Sequence, residues 1–271
     1  MPNSIPEVLP LIIGHRGASA VAPENTLSSF ARALADGAVG IELDVRLARD
    51  GVPVVIHDAN LRRTALREGL VAETTSSELG MTEVGSWFNC AHPQLARAEY
   101  AREVVPTLDQ VLAFVKSHPQ AVAIYVEMKT NQAENTYVDL SRAVVQLIRD
   151  HRLLSRVVVV SFNLKAVAQI KTTDPCIRTG ALFEPRRNTV KIIRKHPMIT
   201  AALECGAEEI LLHRSIANRR NVDLSLESDL RPVVWTVDDP KWVRRAASSG
   251  IHALITNNPA AMVAVSRPQP T

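Results

Sequence analysis

The chain has 271 residues, 46% hydrophobic and 22% charged, an ordinary globular balance with room for one large α/β domain or two small ones. Its formal charge of +3, without long runs of one sign, argues against a nucleic-acid binder but allows a locally positive cleft for an anionic substrate. The cysteines, Cys90, Cys176 and Cys205, form no CxxC pair, and no apolar run nears the ~20 residues of a membrane span, which excludes a zinc ribbon, a disulfide framework and a transmembrane helix.

Residues 1–10 lack the basic and apolar regions of a secretory signal, so a cytoplasmic protein is expected. The first apolar run, residues 11–14, reads as a buried strand that leads into Gly14-His15-Arg16-Gly17. This places a histidine and an arginine at a strand end; the arginine fork suits phosphate oxygens, and Gly17 lets the backbone approach a ligand. A purely structural histidine is the competing reading. Residues 26–36 follow as a helix with Leu27, Phe30, Ala31 and Leu34 on one face, and Asn25 or Thr26 reads as its cap.

The second strand, residues 39–45, carries Glu42-Leu43-Asp44. Side chains alternate along a strand, so both carboxylates share a face. Two buried acids among Val, Ile and Leu need a cation, either a hard metal ion such as Mg²⁺ or Ca²⁺ or a neighbouring arginine. Asp50-Gly51 then signals a two-residue hairpin, with an antiparallel strand at 52–57. Counting back from that turn sets His57 directly opposite Asp44, with Cβ atoms ~5 Å apart.

Residues 59–104, with a short helix at 74–80, are too long for a simple connection and are expected to form a small inserted cap beside the site. A helix at 107–117 leads to a strand at 122–128, whose Glu127 shares a face with Lys129. A helix at 135–151 follows, then strands at 157–162, 178–183, 209–213, 232–237 and 253–256, with a helix at 240–248. Trp235 stands near a strand end, where it either walls a pocket or packs between layers. Ser161-Phe162 and Thr256-Asn257 occupy equivalent strand ends as weaker candidates, and the polar, proline-rich tail at 266–271 reads as disordered. Strand and helix alternating about eight times predict a TIM (β/α)₈ barrel of one domain, 1–271, with its site at the carboxyl ends of the strands. An open doubly wound sheet is weakened by the lack of a glycine-rich turn after the first strand.

Taken in order, GHRGASAVAPENT, GIELDVRLARDGVPVVIHD, LRRT, GSWF, VPTLDQVL, VEMK, SF, VVWTV and LITNNP resemble the glycerophosphodiester phosphodiesterase family over roughly residues 11–260. The resemblance implies a barrel with an inserted subdomain that hydrolyses glycerophosphodiesters to glycerol 3-phosphate and an alcohol. It implies one divalent cation, Mg²⁺ or Ca²⁺, on Glu42, Asp44 and Glu127, with His15 and His57 as the acid/base pair. Arg16 would contact the phosphate, Lys129 would support the substrate and Trp235 would line its pocket, while Glu24, Asn25 and Thr26 would support the first loop. The attacker would be a substrate hydroxyl, by way of a cyclic phosphate, or water. Three departures stand out: Arg62 where the family has an acid, Ala253 for a glycine and Asn257 for an aspartate. All three are expected to bear on substrate choice and packing rather than on catalytic groups.

Two other readings stay open. A lysophospholipase D-like or sphingomyelinase D-like enzyme on the same barrel would call for an apolar entrance in residues 59–104. A catalytically silent barrel that only binds phosphodiesters is disfavoured, because all three acids and both histidines are present.

Overall fold

Along the chain, inward and outward side chains alternate strand after strand, and this period of two builds the architecture. The computed structural model describes residues 8–130, 136–185 and 196–266. Among the described residues nine strands run β1 (Leu11–His15), β2 (Gly40–Leu47), β3 (Pro53–Val55), β4 (Ala123–Met128), β5 (Val157–Ser161), β6 (Arg178–Phe183), β7 (Glu209–His213), β8 (Arg231–Trp235) and β9 (Ala253–Thr256). Their order is β1-β9-β8-β7-β6-β5-β4-β2-β3, and a further β1–β2 pairing closes the eight parallel strands into a barrel. The expectations of a TIM barrel and of where its eight strands lie both hold.

The barrel interior packs Ile13, Tyr125, Val158, Val160, Leu182, Leu211, Val233 and Ile255 against one another. Their sequence neighbours face outward: Ile41, Leu43, Val126 and Val159 pack in one layer with helices Leu27–Ala35, Leu108–Lys116 and Thr136–His151. Ile210, Leu212, Val234 and Leu254 do the same with Arg219–Glu227 and Lys241–Ser249. Extending the inward series one step past its apolar members brings up His15, Glu42, Asp44, Glu127, Lys129 and Trp235 at the carboxyl ends. The alternation that fills the core thus also aims the polar groups into the mouth. Thr107 caps its helix through Gln110 N, and Gln110 returns a bond to the Thr107 backbone, a reciprocal cap that starts the helix sharply.

The hairpin expectation requires correction. Val45 pairs with Val55, Arg46 with Val54 and Leu47 with Pro53. Ala48 N donates to Val52 O and Gly51 N to Ala48 O, so the turn holds three residues, Arg49-Asp50-Gly51. Gly51 adopts φ 78°, the left-handed residue such a loop needs. One extra turn residue slides the register by one: Ile56 N donates to Asp44 O, and Ile56 rather than His57 faces Asp44. His57 enters the site from the bend beyond Ile56.

Residues 59–104 form short helical pieces, including Arg62–Ala65, Ser76–Leu79 and Ser86–Ala91. Two apolar clusters join them to the rest of the domain, Leu61, Val71 and Leu79 packing with Val54 and Ile56, and Phe88 and Tyr100 with Ala22. Ser266 closes the helix Pro259–Ser266, against the expectation of disorder there, and the rest of the tail lies outside the described residues, as does Asn135. Among the described residues, no helix is long and apolar enough to cross a membrane.

Candidate active site

A cavity of about 390 Å³ opens at the carboxyl ends of the barrel strands, lined among others by His15, Arg16, Glu42, His57, Glu127, Lys129, Phe162 and Trp235. Seven of the eight expected site residues therefore line it. The eighth, Asp44, lies beneath them, and Arg16 Nε and Lys129 Nζ each stand 3.1 Å from its carboxylate.

The first loop is built to present its side chains. Arg16 and Gly17 take φ values of 54° and 85°, and a Cβ at Gly17 would meet Ser29 Oγ at 2.1 Å. Only glycine fits there. The Arg16 carbonyl accepts from Ser29 Oγ at 2.7 Å and from Asn25 N at 3.0 Å, while Arg16 N donates to Glu42 Oε2 at 2.9 Å. These bonds hold a turn that an arginine backbone does not favour. Thr26 is the helix cap, accepting from Ser29 N. Asn25 does something else: its Nδ2 donates to Asp44 Oδ2 at 2.8 Å and its Oδ1 accepts from Asp44 N.

Glu42, Asp44 and Glu127 are all buried, and one oxygen from each lies within 4.8 Å of the others. Burial and the charges of Asp44 and Glu127 push the Glu42 carboxyl well up from its ordinary value. Burial likewise raises Glu127 to about 7, against the pull of Lys129, whose Nζ is 2.5 Å from Glu127 Oε1. Burial alone would raise Asp44 too, but Lys129 and Arg16 outweigh it and hold that carboxyl well below the usual range. Asp44 Oδ1 is buried and accepts no hydrogen bond despite the nearby ammonium. Three crowded carboxylates, one with an unbonded oxygen, offer an all-oxygen donor set that fits a hard divalent cation.

The histidines differ in their surroundings. Burial, reinforced by Arg16, pushes His15 down to about 4, partly offset by the bond between its Nδ1 and Asn257 Oδ1 at 2.7 Å. Burial also lowers His57, although Asp44 pulls the other way. His57 Nδ1 lies 2.6 Å from Asp58 Oδ1, and Arg63 Nε donates to Asp58 Oδ2 at 2.7 Å. Burial works to raise Asp58, yet Arg63 and His57 bring it down to about 2. The same guanidinium forks onto Glu24, which also accepts from Arg16 Nη1 at 2.9 Å.

Trp235 stands edge-on to Phe162, ring centroids 5.4 Å apart, and walls the cavity. No residue of 59–104 lines this cavity, but Arg63 bonds to Glu24 and Asp58 beside it, and Thr64 and Val84 line a small adjoining pocket with His57. The sequence does not single out Asp58, Arg63 or Asn257 as partners of the expected site residues. Adjacent residues in a strand point to opposite faces, so reading His57 as a strand residue turned Asp58 away. Asn257, expected to bear on substrate choice and packing, is also bonded to His15.

The chain matches the model of the glycerophosphoryl diester phosphodiesterase family across residues 15–261. It belongs to that family. A glycerophosphodiester phosphodiesterase of Bacillus subtilis is 28% identical over 92% of this chain and 84% of that protein. One from Caldanaerobacter subterraneus is 28% identical over 93% and 96%. Among solved structures, an Oleispira antarctica phosphodiesterase in complex with the product sn-glycerol-3-phosphate superposes with a TM-score of 0.82 at 25% identity, covering 95% of this chain and 97% of that one. The Agrobacterium tumefaciens glycerophosphodiester phosphodiesterase gives 0.75 at 26% identity, covering 94% and 99%. As a member of this family the chain is an enzyme, and its acidic cluster can hold a divalent ion.

Proposed function

We propose that this enzyme hydrolyses glycerophosphodiesters to glycerol 3-phosphate and an alcohol, with one Mg²⁺ or Ca²⁺ on Glu42, Asp44 and Glu127. The observation that carries this reading is the cluster of three buried carboxylates beside two histidines and two cations in one cavity. The product in the Oleispira relative supports glycerol 3-phosphate as the retained fragment.

When bound, the metal ion supplies positive charge that polarises the phosphoryl group and offsets the anion's repulsion of nucleophiles. Arg16 and Lys129 add fixed positive charge at the same rim. One histidine removes the proton from the attacking hydroxyl while the other protonates the departing alkoxide, as neutral-pH imidazoles can. Trp235 forms the apolar side of the pocket for the substrate's carbon skeleton. Residues 59–104 are an insertion in a single catalytic domain, bracing the site through Arg63. Among the described residues the cavity is walled by barrel residues, with His15, Arg16, Glu42, His57, Glu127 and Lys129 on its polar side, which supports a small anionic diester.

The test is release of choline and glycerol 3-phosphate from glycerophosphocholine, with and without chelator. Release that chelation abolishes and Mg²⁺ or Ca²⁺ restores is expected; release indifferent to chelator overturns the metal assignment, and none under any condition overturns the substrate.

A further inference from the structure

The residue on the far side of His15 decides which ring nitrogen is free. β1 and β9 are parallel neighbours with Gly14 opposite Thr256, so the next residues along, His15 and Asn257, stand side by side. An amide side chain has a donor end and an acceptor end, and the end that faces the ring fixes its tautomer. Asp238 determines the orientation. Asn257 Nδ2 donates to Asp238 Oδ2 at 2.8 Å, Asn257 N donates to Asp238 Oδ1 at 2.8 Å, and Thr256 Oγ1 donates to that same Oδ1 at 2.9 Å. Reversing the amide would set oxygen against carboxylate, acceptor facing acceptor. In the observed orientation Asn257 Oδ1 faces His15 Nδ1 and also accepts from Ser19 Oγ at 2.9 Å. An acceptor there calls for a hydrogen on Nδ1, which leaves the lone pair of the neutral ring on Nε2.

His57 is held differently, by a carboxylate at its Nδ1. A carboxylate stabilises an imidazolium; a neutral amide oxygen does so far less.

We propose that Asn257, oriented by Asp238, is a positioning residue: it holds His15 as the Nδ1–H tautomer so that Nε2 accepts the proton of the attacking hydroxyl. The proposal rests on the reading of His15 as a proton-transfer group and gives that transfer a direction. As the attacking oxygen bonds to phosphorus, its O–H bond breaks and the proton passes to His15 Nε2. The phosphorus–alkoxide bond breaks with its electron pair on oxygen, which takes a proton from His57. Exchange with water resets both rings.

The experiment measures the tautomer directly, by long-range ¹H–¹⁵N NMR of His15 in the metal-loaded full chain, alongside kinetics on glycerophosphocholine. Nδ1 protonated and Nε2 unprotonated is expected in the wild type. Asn257→Ala should abolish that single signature and lower kcat by about 10²-fold with a smaller change in KM, the loss typical of a misaligned catalytic group. Asn257→Asp alone sets two carboxylates against each other and should lose both signature and turnover. Combining it with Asp238→Asn restores a donor opposite position 257 and should recover both, which a merely structural role does not require. A protonated Nε2 in an enzyme that still hydrolyses the diester overturns this proposal alone. An unchanged signature and kcat in a folded Asn257→Ala variant also overturns it. An inactive wild type with the Nδ1–H form instead overturns the parent reading.

Discussion

Lys129 Nζ sits 2.5 Å from Glu127 Oε1 and 3.1 Å from Asp44 Oδ1, so the acidic cluster has a counter-ion two residues from one of its acids. One ammonium does not balance three carboxylates, and Glu42 and Glu127 stay pushed up. A group whose folded value lies above its unfolded one lends stability at low pH and loses it as pH rises through the folded value. For Glu127 that loss runs upward from the ordinary carboxylate range and is complete once pH has passed about 7. A bound cation needs the ionised form, so it competes with protons. The gap in melting temperature between Mg²⁺-loaded and chelated protein should therefore widen from pH 5 to pH 8, and titration calorimetry in buffers of different ionisation heat should register proton release near pH 6. A gap independent of pH would contradict the raised carboxyls.

Asp44→Ala together with Glu127→Ala should abolish Mg²⁺ and Ca²⁺ binding by calorimetry, since two of three donors are gone. Undiminished binding would rule the site out. His15→Ala and His57→Ala should each lower kcat by ~10²–10⁴-fold, with little effect on substrate binding. Arg16→Lys should weaken both binding and turnover, because a point charge cannot reproduce a fork that spans Glu24 and Asp44. Thermal melts distinguish these outcomes from unfolding.

The barrel and most of its mouth were legible because one rule, alternation along a strand, carries both. Glu42 and Asp44, Glu127 and Lys129, and Trp235 all reach the cavity by that rule or lie just beneath it. His57 was placed near the acids by a register count that was off by one; a three-residue turn replaced the two-residue one, and a bend past the strand compensated. Asp58, Arg63 and Asn257 act through contacts between distant or bent segments, which no local period encodes. Asn25 looked like a helix cap because its neighbour is one, and only the folded loop turns its amide onto Asp44.

Arg63 is where residues 59–104 meet the partners of Arg16 and His57. Its Nη1 and Nη2 donate to Glu24 at 2.7 and 2.8 Å, and its Nε donates to Asp58. It thus ties the partner of His57 to the partner of Arg16. Arg63→Lys keeps the charge but cannot make all three bonds. Turnover should fall while the overall fold holds, and Arg63→Met should behave similarly, separating geometry from charge. Wild-type kcat/KM in both variants would reduce this contact to a surface ion pair.

The far end of the barrel holds another buried acid, away from the three in the cavity. Glu209, the first residue of β7, is fully buried, and its Oε2 accepts from the Tyr125 hydroxyl at 2.9 Å. Its Oε1 has no hydrogen bond, the nearest cation being Arg178 Nη1 at 3.7 Å. Burial raises this carboxyl above its ordinary value, so its contribution to stability diminishes as pH climbs through the folded value. Glu209→Gln retains an acceptor for Tyr125 and removes the charge. The variant should melt progressively higher than wild type as pH rises from 5 to 8, with kcat unchanged. Tyr125→Phe does the reverse, leaving Oε2 without its donor, and should lower stability by about 1–3 kcal/mol. A Glu209→Gln variant that is less stable at pH 8 than at pH 5, relative to wild type, would mean the ionised form is favoured there and Arg178 is the partner that matters.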